Sequence, residues 1–145
     1  MQTRLSKRLT DIVLALPLKG GIRVLEIGCG PGAMAREIVK HIGDGHILAI
    51  DRSAKAIQQA IASSKAEIKS GVLQFRQIPI EKFELDSKES LFDIAVAVRV
   101  GALDGRHPEL EKQALTRIAK VLTKKGKLFI DGGNPLKEIQ LEKYR

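Results

Sequence analysis

Apolar residues first recur with a helical period, at Leu5, Leu9, Ile12, Val13 and Leu16, which predicts an amphipathic helix over residues 2–16. The period then shortens. Residues 22–27 read as a buried strand, and Met34, Ile38 and Ile42 put one face of a following helix, 31–41, against a core. Gly43-Asp44-Gly45 turns the chain into a second apolar strand, 46–51, and Ser53 is placed to cap a helix carrying Ile57, Ala60, Ile61 and Ile68. A third strand near 72–76 follows Gly71. Residues 91–98 are the most apolar run, with nothing polar between Asp93 and Arg99, as a central parallel strand covered on both faces requires. His107-Pro108 opens a helix with Leu110, Ala114, Leu115, Ile118, Val121 and Leu122 inward, strand five falls at 127–131, and residues 135–144 read as a short terminal helix.

This alternation calls for a doubly wound α/β domain with a mainly parallel sheet of about five strands and right-handed crossovers. The chain is expected to be one domain over 1–145, with an N-terminal helix (1–16), a core (20–131) and a terminal helix or tail (134–145). Ligands of such folds bind at the C-terminal ends of the strands where the sheet order switches, here strands one and four. On this reading strand five is an open sheet edge carrying Leu128, Phe129 and Ile130, which suggests a homodimer through that edge unless the terminal helix covers it.

The chemistry is concentrated after strand one. Glu26 leads into a turn containing Gly28, Cys29, Gly30, Pro31 and Gly32, where the glycines permit unusual backbone angles and leave room for a ligand against the main chain. Strand two ends in a second acid, Asp51, at hydroxyl-binding distance from a ribose in the same crevice. Gly28, Gly30 and Ala33 satisfy a permissive nicotinamide-nucleotide pattern, which keeps an NAD(P)-dependent reductase as an alternative. An acid two residues before the first glycine favours another ligand, because a pyrophosphate gains nothing from a carboxylate whereas an ammonium group does. S-adenosylmethionine carries that ammonium. A reductase would also want a tyrosine with a lysine four residues on, and the sole tyrosine is Tyr144.

Val24-Leu-Glu-Ile-Gly-Cys-Gly-Pro-Gly32, Ile47-Leu-Ala-Ile-Asp51, Phe92-Asp-Ile-Ala-Val-Ala-Val98 and Val121-Leu-Thr-Lys-Lys-Gly-Lys-Leu-Phe-Ile130 resemble, in order and spacing, the class I S-adenosylmethionine-dependent methyltransferases. The resemblance covers about residues 20–131. It implies that Glu26 lies near the methionyl ammonium, that Gly28, Cys29, Gly30 and Gly32 form the backbone cradle, and that Asp51 binds the ribose hydroxyls. Arg52 and Ser53 would flank the adenine. The family commonly places an adenine-binding acid after strand three, whereas Gln77-Ile78-Pro79-Ile80 offers none, so adenine contact is assigned to Ile78, its side chain and backbone. Val98 and Arg99 would line the methyl-transfer site. Arg99 and His107 are the candidate catalytic residues, the alternatives being an Arg99 ion pair with Asp104 or Glu109 and a His107 that is only a loop residue. Arg99-Val-Gly-Ala after strand four departs from the pattern of enzymes that methylate exocyclic amines. The family's closing antiparallel hairpin is expected to be absent.

Composition changes this picture little. The 145 residues, 43% apolar, suit one core, and a single cysteine excludes an internal disulfide. No run reaches the length of a membrane span and no leader-like block is seen, so the cytoplasm is the expected location. The net charge of +8 raises a nucleic-acid reading. Arg4, Lys7 and Arg8 form one basic group and Lys120, Lys124, Lys125 and Lys127 another, the latter also explained as cations at a helix C-terminus before a Gly126 cap. Few aromatics are available for base stacking. A small-molecule acceptor is therefore expected, an RNA or protein acceptor staying open, with S-adenosylhomocysteine as product. The other reading is an S-adenosylmethionine-binding protein that is non-catalytic or needs a partner. No metal is called for: His41 and His46 lack a third ligand.

Overall fold

A computed structural model of the protein describes residues 5–145. Of the amino-terminal basic group, Arg4 lies outside the described residues. The elements run α1 (Lys7–Ala15), β1 (Arg23–Ile27), α2 (Ala33–Val39), β2 (His46–Asp51), α3 (Ala54–Ser63), α4 (Lys65–Lys69), β3 (Leu73–Gln77), β4 (Phe92–Ala97), α5 (Pro108–Val121), β5 (Leu122–Asp131) and β6 (Leu136–Ile139). Six strands form one sheet in the order β3-β2-β1-β4-β5-β6. The first five pair in parallel and β6 runs antiparallel to β5.

Strand pleating divides the core into two. Leu25, Ile27, Leu48, Ile50, Ala95 and Ala97 face α5 and the short turn Ile80–Lys82, whereas Val24, Ile47, Ala49, Ile94 and Val96 face α1 and α2. Both faces of β4 are thus apolar beyond Asp93, as the uninterrupted run 94–97 requires. On α1, Ile12, Val13 and Leu16 are buried, with Leu5 and Leu9 packed at the margin, so this helix docks on the sheet beside α2.

Three expectations are corrected. The helix expected after Ser53 is two helices, because Ser64 is wholly buried and accepts from Arg36 Nη1 at 2.9 Å, ending α3. Of the apolar residues read on that helix, Ile57 and Ala60 are buried whereas Ile61 is 45% exposed. The Lys124 to Lys127 cluster is not at a helix terminus. Leu122 leaves α5 in an extended conformation, β5 begins there, and the pairing jumps from Phe92↔Leu122 to Ile94↔Lys127 around an outward bulge. Gly126 is needed in that bulge because a Cβ would stand 2.8 Å from Leu122 Cβ.

The third correction concerns the chain after Asp131. Residues 136–139 are a strand rather than a helix, with Phe129↔Glu138 and Ile130↔Lys137 in register, and a one-turn helix over Glu142–Tyr144 follows. The β5 edge is therefore covered within the chain, and the homodimer expected through an open strand five loses its basis. One antiparallel strand, β6, thus follows β5 in the described residues, where the sequence suggested none. The helical reading failed because Leu136, Ile139 and Leu141 suit either period over so short a run. Among the described residues, no helix is long and apolar enough to cross a membrane.

Candidate functional site

The turn after β1 is shaped by three residues of positive φ, Gly28 (74°), Gly30 (54°) and Gly32 (88°). At Gly32 the space is as restrictive as the angle, since a Cβ would meet Phe75 Cζ at 2.9 Å and Arg36 Nη1 at 3.0 Å. At Gly28 it would meet Val100 Cγ2 at 2.8 Å. The Gly28 and Cys29 amides donate to the Ile50 carbonyl at 2.8 and 3.0 Å, which locks the turn to the end of β2.

Asp51 completes that lock. One carboxylate oxygen accepts from the Gly30 amide and the other from the Ser53 amide, each at 2.9 Å. Ser53 in turn caps α3, accepting from the Ala56 amide at 3.1 Å. The expected acid at the end of strand two is therefore fixed at the turn before any ligand arrives, and each oxygen keeps lone-pair capacity for a hydroxyl.

A cleft of about 360 Å³ opens here, and its lining brings together Gly28, Asp51, Arg52, Ile78, Arg99 and His107 among the expected site residues. The others are placed elsewhere. Cys29 and Gly32 are buried, and the Cys29 thiol turns into the core shared with Met34 and Ile57, where burial first, and the nearby acids Glu26 and Asp51 second, push its ionisation far above the ordinary range. It supplies backbone to the turn, not a nucleophile. Val98 packs with the α1–α2 side of the core, and Val100 takes the place expected for it in the cleft wall. The Ile78 amide donates to the Asp51 carbonyl at 3.0 Å, so this N–H is not open to a ligand, and its side chain lines the cleft.

By strand alternation Glu26 faces the α1–α2 side with Val24, within electrostatic reach of Asp51 and Arg36, and it is not among the residues lining the cleft. It is 3% exposed, and its Oε1 has no hydrogen-bond partner among the described residues. Burial, reinforced by the charge of Asp51 and opposed by Arg36, raises its pKa from 4.5 to about 8. A buried, unpartnered acid beside a glycine turn suits a cationic group, which would favour its charged form.

Sequence reading missed three residues here. Glu81 lines the cleft from the turn Ile80–Lys82, four positions beyond the end of β3, so the absence of an acid at 77–80 does not leave this side without one. Arg106 lines it from the loop before α5 and is held by Asp104, Nε to Oδ2 at 2.7 Å. Asp131 ends β5 as Asp51 ends β2, the same signal of an acid after an apolar strand. Its Oδ1 accepts from the Arg99 amide at 3.1 Å and its Oδ2 from Arg8 Nη2 of α1 at 2.7 Å. Arg99 pairs with neither Asp104 nor Glu109. It sits at φ 58°, a left-handed conformation costly for a residue with a Cβ, at the cleft rim. His107 stands exposed at the N-terminal boundary of α5, and its carbonyl accepts from the Glu111 amide at 2.9 Å.

The sequence is similar to two curated fungal proteins. It is 31% identical over 97 residues to sterol 24-C-methyltransferase ERG6B of Gibberella zeae, covering 66% of this chain and 25% of that protein. It is 30% identical over 95 residues to sterol 24-C-methyltransferase erg6 of Aspergillus fumigatus, covering 64% and 25%. The chain thus spans about a quarter of the length of the curated relatives it matches. Among solved structures, an S-adenosylmethionine-dependent methyltransferase from Thiobacillus denitrificans in complex with S-adenosylhomocysteine superposes with a TM-score of 0.67 at 23% identity, covering 87% of this chain and 48% of that one. The [4+2]-cyclase SpnF does so with a TM-score of 0.67 at 27% identity, covering 85% and 43%. The description that matches the sequence itself is a methyltransferase domain, aligned over residues 18–143. All six strands lie within that match, and the chain belongs to the methyltransferase-domain family.

Proposed function

We propose that this chain is an S-adenosylmethionine-dependent methyltransferase acting on a small-molecule acceptor, with residues 1–145 working as one domain in the cytoplasm. The observation that carries the cofactor reading is the Asp51 carboxylate, fixed by two backbone amides at 2.9 Å on the floor of a cleft whose glycine turn admits a ligand to the main chain. The residues fit the cofactor. The unpartnered Glu26 Oε1 suits the methionyl ammonium, the Gly28 to Gly32 backbone the methionyl chain, and Asp51 the ribose hydroxyls. Ile78, Arg52 and Glu81 border the space left for the base. The names of the fungal relatives support a small-molecule acceptor.

When bound, S-adenosylmethionine supplies a methyl group on a sulfonium: the acceptor's lone pair forms the new bond to carbon as the carbon–sulfur bond breaks, the pair stays on sulfur, and S-adenosylhomocysteine is left. The chain's residues have two tasks in such a displacement, positioning and exclusion of water. Val100, against Gly28, forms the apolar wall beside the turn, and Arg99 orients the acceptor at the rim. His107 takes the acceptor's proton where the acceptor has one to lose.

Calorimetric titration with S-adenosylmethionine and S-adenosylhomocysteine, with NADH as control, tests this. Micromolar binding of both sulfur ligands, weakened about a hundredfold in Asp51→Asn, is expected from losing a charge-assisted pair of hydrogen bonds. NADH binding in their place would refute the cofactor assignment. A second reading is cofactor binding without methyl transfer, since the fold is shared with a protein named for a [4+2]-cyclase reaction and not for methyl transfer. Release of S-adenosylhomocysteine in an acceptor screen excludes it.

A further inference from the structure

A second cleft of about 440 Å³ adjoins the first at Arg99 and Val100, lying over the C-terminal ends of β4 and β5 and the start of β6. Its floor is apolar, from Ala97, Ile130, Leu103 and Ile139. Its charges are unequal once the pairs are removed. Asp131 is engaged by Arg8 and by the Arg99 amide, and Asp104 is engaged by Arg106. Arg99 and Lys137 remain, with neither side chain making a hydrogen bond or ion pair among the described residues, and one carboxylate, Glu111, opposes them.

We propose that this second cleft is the methyl-acceptor subsite and that it takes an amphiphilic molecule, an apolar body on the Ile130–Ile139 floor with an anionic group, carboxylate or phosphate, held between Arg99 and Lys137. That it receives the methyl acceptor rests on the function proposed above; the binding chemistry stands on the cleft alone. Two cations facing an apolar floor bind an anion more strongly than two on an open surface, because the floor excludes part of the screening water. Asp131 is a positioning residue in this site. By accepting from the Arg99 amide it holds that residue at φ 58°, on the rim shared by both clefts. The reacting end of the acceptor then meets the first cleft at the Val100 wall while its anionic end stays in the second.

The probe is 8-anilinonaphthalene-1-sulfonate, an apolar body with one sulfonate, followed by fluorescence against its uncharged analogue N-phenyl-1-naphthylamine. The sulfonate is expected to bind at least tenfold tighter than the analogue. Arg99→Met and Lys137→Met should each weaken it about tenfold, and Glu111→Gln should tighten it, a change that merely structural disturbance would not produce. Octanoate or monooctyl phosphate should displace it, and which does so better tells carboxylate from phosphate; octanol should not. Equal affinity for the two probes, displacement by octanol as effective as by octanoate, or variants indistinguishable from wild type would each overturn the proposal. S-adenosylhomocysteine titration of the same variants runs in parallel. Should that ligand fail to bind while the sulfonate results hold, the cofactor reading falls and the anion subsite stands.

Discussion

Glu26→Gln isolates the cost of keeping an acid behind the glycine turn. The folded protein holds this carboxyl protonated up to about pH 8, whereas the unfolded chain ionises it near 4.5. Between those values the folded state binds the extra proton, so stability falls as pH rises through this window and the loss is complete above it. The full gap corresponds to about 5 kcal/mol, at about 1.4 kcal/mol for each tenfold change in proton concentration. Near pH 5.5 the carboxyl has cost about 1 kcal/mol and near pH 8 about 4 kcal/mol. Glutamine has nearly the same shape and does not titrate. The stability of Glu26→Gln relative to wild type is therefore expected to improve by about 3 kcal/mol from pH 5.5 to pH 8. Urea denaturation of both proteins across this range measures it, and taking the difference removes every other titrating group. A difference that moves by less than about 0.5 kcal/mol over the window would refute the reasoning and mean that the Glu26 carboxyl is solvated or paired.

The same group predicts proton release on ligand binding: near pH 7.5, S-adenosylhomocysteine, whose ammonium favours the ionised acid, should displace up to about three-quarters of a proton from wild type and none from Glu26→Gln, read from the binding enthalpy in phosphate against Tris buffer. Gly28→Ala should weaken that ligand about tenfold, its Cβ meeting Val100 Cγ2 at 2.8 Å, and Val100→Ala should restore only part of the loss in the double variant, because the φ of 74° still strains alanine, as binding isotherms of the three proteins would show. Arg99→Gly should raise thermal stability by about 1 kcal/mol through relief of the φ 58° conformation while abolishing preference for the anionic probe; a fall in stability would place the Arg99 side chain in the fold rather than the site.

What was legible in the sequence follows from how local each cause is. Five parallel strands and the switch between the first and the fourth came from short apolar runs bounded by turns and alternating with helices, a pattern that calls for a parallel sheet covered on both faces. The glycine turn and Asp51 were legible for the same reason, being fixed to strand ends. Glu26 was found but its surroundings were not: pleating turns it to the α1–α2 side, and only the packed structure shows an oxygen without a partner. The helix-to-strand change at Leu122 was hidden because Val121 and Leu122 continue the apolar face of α5, and the outward bulge to Lys127 has no periodic signature. Leu136–Ile139 was misread because four residues leave helix and strand patterns indistinguishable, and the pairing with β5 is a long-range fact. Glu81 and Asp131 reach the clefts through loops and neighbouring strands, so no spacing rule points to them, although Asp131 shares with Asp51 the position of an acid closing an apolar strand.

The hydrogen bonds from Gly30 and Ser53 to Asp51 carry a kinetic consequence. A phosphate-type loop that orders around its ligand must sacrifice conformational freedom at the moment of encounter, and its association rate carries that delay. Here the carboxylate has already immobilised the loop and the first turn of α3 during folding, at the expense of the native state's own entropy. Ligand capture on this side of the sheet is accordingly a docking onto a rigid template, governed by diffusion and orientation, and discrimination among nucleosides rests on how fast they leave.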